Sequence, residues 1–150
     1  MDQLRAGLLD RLLDGAAAQL SLEQYKEALL RDLEDLLNTR SALAPEQLHG
    51  FPRSAASVLN YGLADFAGLS LNSSADRARI CAEVRLALER HEPRLRQVQV
   101  ALLARPGAVN RIDIAIRGVL RLPGMRESVS FNAVLQPSSL HYAIKRGAIA

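Results

Sequence analysis

Residues 84–102 read VRLALERHEPRLRQVQVAL, and the periodicity of the chain changes within this stretch. Before Pro93, apolar residues recur at intervals of three and four, as on one face of a helix. After Pro93 they occupy every second position, at Val98, Val100 and Leu102. Because the residue before a proline is pushed out of the helical region, we expect a helix that ends near His91 and a strand after Arg94.

The alternation of apolar and polar residues recurs twice downstream of this stretch. It is found over 112–116 and again over 129–135, and the turn signals Pro106-Gly107 and Pro123-Gly124 separate the three segments. Short turns between such segments predict an antiparallel meander. The tail over 138–146 fits either a further short strand or a final helical turn. The solvent face of the sheet is expected to show Arg111, Asp113, Arg117 and Arg121.

Helical patterns fill the chain upstream. Ser21 followed by Gln24 predicts a capping box at the start of a helix that ends near Asn38. A loop over 39–52, a short helix over 54–60 and a third helix over 75–91 are expected to follow. The predicted fold is therefore α+β, with N-terminal helices packed on a C-terminal antiparallel β-meander. We predict two segments, a leader or docking helix over 1–20 and a domain over 21–150.

The composition favours a small soluble protein of a reducing compartment. The chain has 150 residues, of which 49% are hydrophobic and 23% charged, so it can bury one core. Its single cysteine, Cys81, cannot form an internal disulfide and is interpreted as a small buried hydrophobe. No signal peptide or membrane span is predicted, which places the chain in the cytosol.

The charge is distributed unevenly between the two halves. Residues 1–70 carry six bases and ten acids, a balance of −4, whereas residues 71–150 carry thirteen bases and six acids, a balance of +7. Arginine supplies nearly all of the positive charge. This pattern fits either a general preference for arginine or a protein partner with an acidic surface, because arginine binds carboxylates through two parallel hydrogen bonds.

The sequence lacks the common catalytic and cofactor-binding patterns. His49, His91 and His141 are far apart and have no metal-ligand spacing, so neither a metal nor a cofactor is predicted. No phosphate-binding loop or nucleophile elbow occurs. Glu34 and Asp35 are adjacent on a helix and point about 100° apart, which does not suit glycoside hydrolysis. The strands lack the aromatic residues that stack on bases, so no nucleic-acid partner is expected.

Glu92, Pro93 and Arg94 join the last helix to the first strand. An extended backbone there is expected to send the side chains of Glu92 and Arg94 apart. Glu92 could then accept hydrogen bonds from a partner, and Arg94 could donate to a partner carboxylate. The residues alone also fit a simpler interpretation, a helix stop with a local ion pair.

Longer segments of the chain carry a family resemblance. The triplet Glu92-Pro93-Arg94, together with the segments at 10–12 (DRL), 31–40 (RDLEDLLNTR) and 57–66 (SVLNYGLADF), resembles the gene-25-like baseplate-wedge family of contractile phages. Its relatives in bacteria are the TssE subunits of type VI secretion systems. The resemblance covers almost the whole chain.

The resemblance implies a structural role without catalysis. It implies that Glu92, Pro93 and Arg94 bind the wedge proteins TssF and TssG, and that the sheet is a template on which the contractile sheath of TssB and TssC begins to assemble. The expected location is the bacterial cytoplasm, in a baseplate docked at the inner membrane, without insertion into the membrane. The alternative is a lysozyme-like enzyme that cleaves peptidoglycan.

Overall fold

The computed structural model describes residues 4–13, 19–66, 68–103, 111–136 and 141–147. The helices are α1 (Leu8–Leu13), α2 (Leu22–Asn38), α3 (Pro45–Leu48), α4 (Pro52–Ala55) and α5 (Ser74–His91), with a 3-10 turn at Val58–Asn60. The strands are β1 (Leu95–Leu103), β2 (Asp113–Leu122), β3 (Met125–Gln136) and β4 (His141–Arg146). Helices come first and an antiparallel sheet follows, so the predicted α+β class is confirmed.

Helix α2 begins at the capping box that the sequence predicts. The Gln24 N–H donates to the Ser21 hydroxyl at 3.2 Å, and the Ser21 N–H donates to the Gln24 side chain at 2.9 Å. The helix buries one face, formed by Ala28, Leu29, Leu33, Leu36 and Leu37. Each fully buried leucine contributes about 1.5–3 kcal/mol, so this face rather than intrinsic propensity holds the helix in place.

The connection from α2 to α5 is more helical than predicted. The predicted loop over 39–52 contains α3, and the single helix predicted over 54–60 is replaced by α4 and the 3-10 turn. Pro45 and Pro52 each occupy the first turn of a helix, where the missing N–H has no intrahelical partner to lose. From the sequence alone, these prolines are interpreted only as loop signals, and the two short helices are therefore not predicted.

Gly62 holds this connection against the end of α2. Its φ is +114°, and a Cβ at this position would lie 2.6 Å from the carbonyl oxygen of Thr39. The close approach allows Arg40 and Leu63 to form an isolated parallel bridge. Only glycine can adopt this backbone at this distance.

Helix α5 begins where the sequence predicts. The Asp76 N–H donates to the Ser73 hydroxyl at 3.2 Å, which caps the first turn. The residues that face the core are Ile80, Val84, Ala87 and Leu88. Cys81, interpreted as buried, is half-buried in the structure.

The sheet has the strand order β1-β2-β3-β4, and every pair is antiparallel. The inner face packs on α2 and α5, and its buried residues include Ile114, Ile116, Leu120, Phe131, Ala133, Tyr142 and Ile144. The outer face carries no helix of the described residues. Core formation therefore uses one side of the sheet only, as in other α+β domains.

Two expectations about the strands require correction or completion. Asp113 was expected on the solvent face, but it is only 3% exposed, and the Arg111 Nε donates to its carboxylate at 2.7 Å. A paired carboxylate can be buried where an unpaired one cannot. The tail forms a strand over His141–Arg146, whereas 138–140 and the Pro106-Gly107 turn lie outside the described residues.

Side chains of α2 form hydrogen bonds with the backbone of β4, on the side of that strand that faces away from β3. The Asn38 amide donates to Tyr142 O at 2.9 Å and accepts from the Tyr142 N–H at 2.7 Å. Glu34 accepts from the Ile144 N–H at 3.0 Å. The outward N–H groups of Tyr142 and Ile144 are thus paired within the chain, although β4 is an edge strand.

Candidate docking site at the junction of α5 and β1

Glu92, Pro93 and Arg94 form a tight turn and not the extended link expected from the sequence. The Glu92 N–H donates to Leu88 O at 2.9 Å, which ends α5. The Leu95 N–H then donates to Glu92 O at 3.2 Å, which closes a four-residue turn. This turn brings the side chains of Glu92 and Arg94 together, whereas an extended backbone would separate them.

Arg94 and Glu92 form an ion pair with two parallel hydrogen bonds. The Arg94 Nε donates to Glu92 Oε1 at 2.6 Å, and Nη2 donates to Oε2 at 2.6 Å. The backbone N–H of Arg94 adds a third bond to Oε1 at 3.2 Å. The side chain of Glu92 is only 6% exposed. Glu92 therefore holds the Arg94 guanidinium in position, and the Glu92 carboxylate is itself bonded to Arg94.

Two residues of α2 complete the surroundings of Arg94. Its Nη2 also donates to Asp32 Oδ2 at 2.6 Å, and its Cζ lies 5.7 Å from the centre of the Tyr25 ring, within cation–π range. Burial disfavours the charged guanidinium, but the hydrogen bonds and charge of Glu92, and then those of Asp32, raise the pKa of Arg94 above its ordinary value. Arg94 is therefore a fixed cation.

A groove of about 560 Å³ opens beside this cation. Its lining comes from the N-terminal segment, α2, Tyr61 and the junction, and includes Leu8, Leu9, Tyr25, Asp32, Asp35, Leu36 and Arg94. The groove thus combines apolar walls with two arginines, of which Arg94 is held in place, and with four carboxylates. Such a surface suits the side of a partner helix, because apolar anchors supply affinity and polar groups set the register.

The N-terminal segment forms one wall of the groove. Ala6 is buried, Arg31 of α2 pairs with Asp10 at 2.5 Å, and the Leu20 N–H donates to Leu4 O at 2.8 Å. Four leucines of α1 nevertheless stay 70–80% exposed, namely Leu8, Leu9, Leu12 and Leu13. This segment therefore presents apolar surface next to the fixed cation.

His91 and Tyr61 form the opposite wall. Their rings meet edge to face with centroids 5.3 Å apart, and the His91 Nε2–H donates to Asn60 O at 3.0 Å. Burial raises the pKa of the Tyr61 hydroxyl, as it does that of Tyr25. His91 is thus a structural contact that ties α5 to the connection before it.

Glu34, considered above as a possible catalytic carboxylate, has a structural contact instead. Glu34 accepts from the backbone of β4, as described above. Among the described residues, no group of three or more His, Cys, Asp or Glu side chains could hold a metal ion. In the same ranges, no helix is both long and apolar enough to cross a membrane.

The sequence nominates the triplet as a candidate site but does not indicate which residues surround it in the fold. Asp32 and Tyr25 lie more than 60 positions away from Arg94, and nothing in the local pattern links them to it. The exposed leucines of α1 were visible as a helical stripe, but their position beside the triplet was not. Only the fold brings these groups together.

Comparisons with known proteins agree on one kind of protein. The family model described as "Baseplate wedge protein gp25" matches residues 23–124. A solved chain from "The baseplate complex from the type VI secretion system" superposes with a TM-score of 0.53 and is 16% identical. The superposition covers 76% of this chain and 96% of that one. None of the curated proteins compared with the chain matches it in sequence.

Proposed function

Because the chain belongs to the family described as baseplate wedge protein gp25, we propose that it is a structural, non-enzymatic subunit of a type VI secretion baseplate. It acts in the bacterial cytoplasm, in a baseplate docked at the inner membrane. It binds the wedge proteins TssF and TssG at the α5–β1 junction. Its β-sheet is the template on which the contractile sheath of TssB and TssC begins to assemble. The observation that carries the proposal is the family match, which includes the triplet Glu92-Pro93-Arg94.

The three residues of the triplet have different roles in this docking. Pro93 sets the turn, and Glu92 fixes the direction of the guanidinium. Arg94 makes the contact with the partner, because its Nη1 donates to no described residue and its side chain is 22% exposed. Two free N–H groups in a fixed plane suit a carboxylate or the carbonyls at the end of a partner helix.

The leader over 1–20 contributes to the same docking surface. Its described part lines the groove beside Arg94 and exposes four leucines. Apolar surface of this kind next to a fixed charge marks a protein interface more often than a free surface. A partner helix in the groove would cover Leu8 and Leu9 while it contacts Arg94.

The open edge of β1 is the place where the sheath would begin. An incoming strand needs free backbone groups, and those of β4 at Tyr142 and Ile144 are already bonded to Asn38 and Glu34. β1 lies at the other end of the sheet. Among the described residues, no side chain bonds to its backbone groups from Val98 to Leu103.

Co-purification with TssF and TssG tests the docking. The native chain is compared with Arg94→Lys and with Arg85→Lys, a matched change of an exposed arginine on α5. We expect Arg94→Lys to weaken the complex at least tenfold, because lysine cannot reproduce the planar fork. Arg85→Lys should bind as the native chain does. Equal binding by both variants would move the docking site away from the triplet, and no binding by the native chain would refute the function.

Proline substitutions in β1 test the sheath template. Consecutive N–H groups of a strand point in opposite directions, so one of Ala101→Pro and Leu102→Pro removes a bond to β2 and the other removes an outward donor. The variant with the smaller loss of thermal stability is the outward one. We expect it to bind TssF and TssG normally but to fail to seed TssB/TssC polymerisation. Normal seeding would exclude the β1 edge.

A cell-wall turbidity assay tests the enzymatic alternative. The native chain should leave peptidoglycan suspensions turbid, because the Glu92 carboxylate is buried and bonded to Arg94. Clearing by the native chain that disappears in Glu92→Gln would establish a hydrolase instead.

A further inference from the structure

The outer face of the sheet carries five positively charged side chains. Arg96, Arg117, Arg121, Arg126 and Lys145 are all exposed. They occupy outward positions of the sheet register, since they alternate with buried residues of the inner face. None of the five forms an ion pair with a described residue.

No acidic side chain of the four strands is exposed on this face. The chain from residue 95 to its end contains only two, Asp113 and Glu127. Asp113 is buried and bonded to Arg111. Glu127 pairs with Leu120, an inner position, and bonds to Lys26 of α2. Asp113 shares the outer side of β2 with Arg117 and Arg121 but is buried, and Glu127 lies on the inner face. The exposed charged side chains of the strands on the outer face are therefore all cations.

Three of the arginines surround one depression. Arg96, Arg121 and Arg126 line a hollow of about 320 Å³, together with Gln97 and Val119. Arg121 and Arg126 are direct cross-strand partners. Like charges placed directly opposite each other destabilise a sheet, so this pair is a local cost to the fold.

A bulge in β1 shapes the rim of the depression. The register shifts between Arg96 and Gln99, and Gln97 has a φ of +53°, which is uncommon for a residue other than glycine. A bulge of this kind re-aims the neighbouring side chain. Here that neighbour is Arg96, which it places on the same depression as the Arg121 and Arg126 pair.

We propose that this outer face, centred on Arg96, Arg121 and Arg126, is a second protein-binding surface that takes a carboxylate-rich segment of a partner. It is separate from the α5–β1 junction and does not depend on the proposed docking there. Clustered arginines match carboxylates by two-pronged pairing, and arginine is enriched at protein interfaces whereas lysine is depleted. The small side chains between the arginines, Ser128 and Ser130 among them, offer no aromatic platform for bases.

Fluorescence anisotropy with a labelled peptide of alternating glutamate and serine tests this surface on the full chain. Arg121→Gln/Arg126→Gln is compared with Arg53→Gln/Arg79→Gln, which removes the same charge from exposed helical positions. At 50 mM salt we expect the first variant to bind at least tenfold more weakly than the native chain. The control should change by less than about threefold, and raising the salt to 200 mM should weaken native binding about tenfold.

Thermal melting separates this result from misfolding. Since Arg121 and Arg126 repel each other, the first variant should melt at the native temperature or about 1–3 °C above it. A lower melting temperature would contradict the inference that repulsion between Arg121 and Arg126 destabilises the fold.

Four other outcomes overturn the proposal. Equal weakening in both variants would show an effect of net charge alone. Tighter binding of a DNA oligonucleotide of the same charge would assign the face to nucleic acid, and displacement of the peptide by millimolar phosphate would assign it to a small anion. Self-association of the native chain at low salt, lost in Arg121→Gln/Arg126→Gln, would make a second copy the occupant.

Discussion

The Glu92→Gln substitution should destabilise the fold through the loss of one charge at the α5–β1 turn. Glutamine keeps the shape of the side chain and one acceptor oxygen. The other oxygen becomes an NH₂ group that faces the Arg94 Nη2 or Nε donor, each of which lies 2.6 Å from a carboxylate oxygen in the native chain. One charge-assisted hydrogen bond is therefore lost, and a second becomes a neutral one.

The size of the effect depends on burial. Removing one partner of a fully buried ion pair costs about 3–5 kcal/mol. Arg94 is 22% exposed at its side chain and keeps its bond to Asp32, so solvent and Asp32 compensate part of the loss. Because a hydrogen bond to a charged group contributes about 1.5–3 kcal/mol, we expect a loss of about 1–3 kcal/mol for Glu92→Gln. That corresponds to a fall in melting temperature of about 2–10 °C.

Urea unfolding of a double-mutant cycle measures the pair itself. The cycle combines Glu92→Gln with Arg94→Met, and the coupling energy should be about 1–2 kcal/mol. Asp32→Asn is the matched control, because its side chain is 41% exposed and should contribute less than about 1 kcal/mol. A coupling energy below about 0.5 kcal/mol would refute the view that Glu92 holds Arg94 in place.

Three further measurements test other parts of the structure. Asn38→Ala should cost about 1–3 kcal/mol and speed hydrogen exchange at the Tyr142 amide, because it removes both partners of that backbone; unchanged exchange would contradict this. Gly62→Ala should cost at least about 1–2 kcal/mol in urea unfolding, since its φ is +114°, and a neutral result would show that the backbone can relax. Burial raises the pKa of Tyr25, Tyr61 and Tyr142, so absorbance at 295 nm should show every tyrosine titrating above pH 10. As the pH rises, the tyrosines of the unfolded chain lose their protons before those of the folded chain. The stability that the raised pKa values contribute is therefore complete below pH 10 and is lost as the pH rises through the folded-state pKa values. Tyr142→Phe should reduce this loss of stability.

Much of the fold follows from local patterns in the sequence. The capping box at Ser21, the stop at Pro93 and the period of two after Arg94 each predict an element boundary that the structure confirms. Those signals are local, because caps and periodicity depend on neighbours within four residues. The predicted exposure of Asp113 was wrong: its side chain is buried, and Arg111, two residues away on the same side of the strand, bonds to its carboxylate.

The sequence names the residues of the candidate site but does not give their geometry. The triplet was found, yet its backbone was expected to be extended, because a proline was read only as a stop. The hydrogen bond from the Leu95 N–H to Glu92 O makes it a turn. Asp32 and Tyr25 join the site through the packing of α2 on the rest of the core. A contact across about sixty residues has no signature in a single sequence.

The Asn38 side chain takes the place of a missing peptide group. Its amide donates one hydrogen bond to Tyr142 and accepts one from it, as a residue of a fifth strand would. With Glu34, which accepts from the Ile144 N–H, it closes that edge of the sheet. A sheet with one closed edge can accept an added strand only at its other edge. Two such chains can pair edge to edge and then stop, whereas chains with two open sides could stack without end. Asn38 and Glu34 together thereby favour a subunit that accepts one neighbouring strand over one that would form fibres.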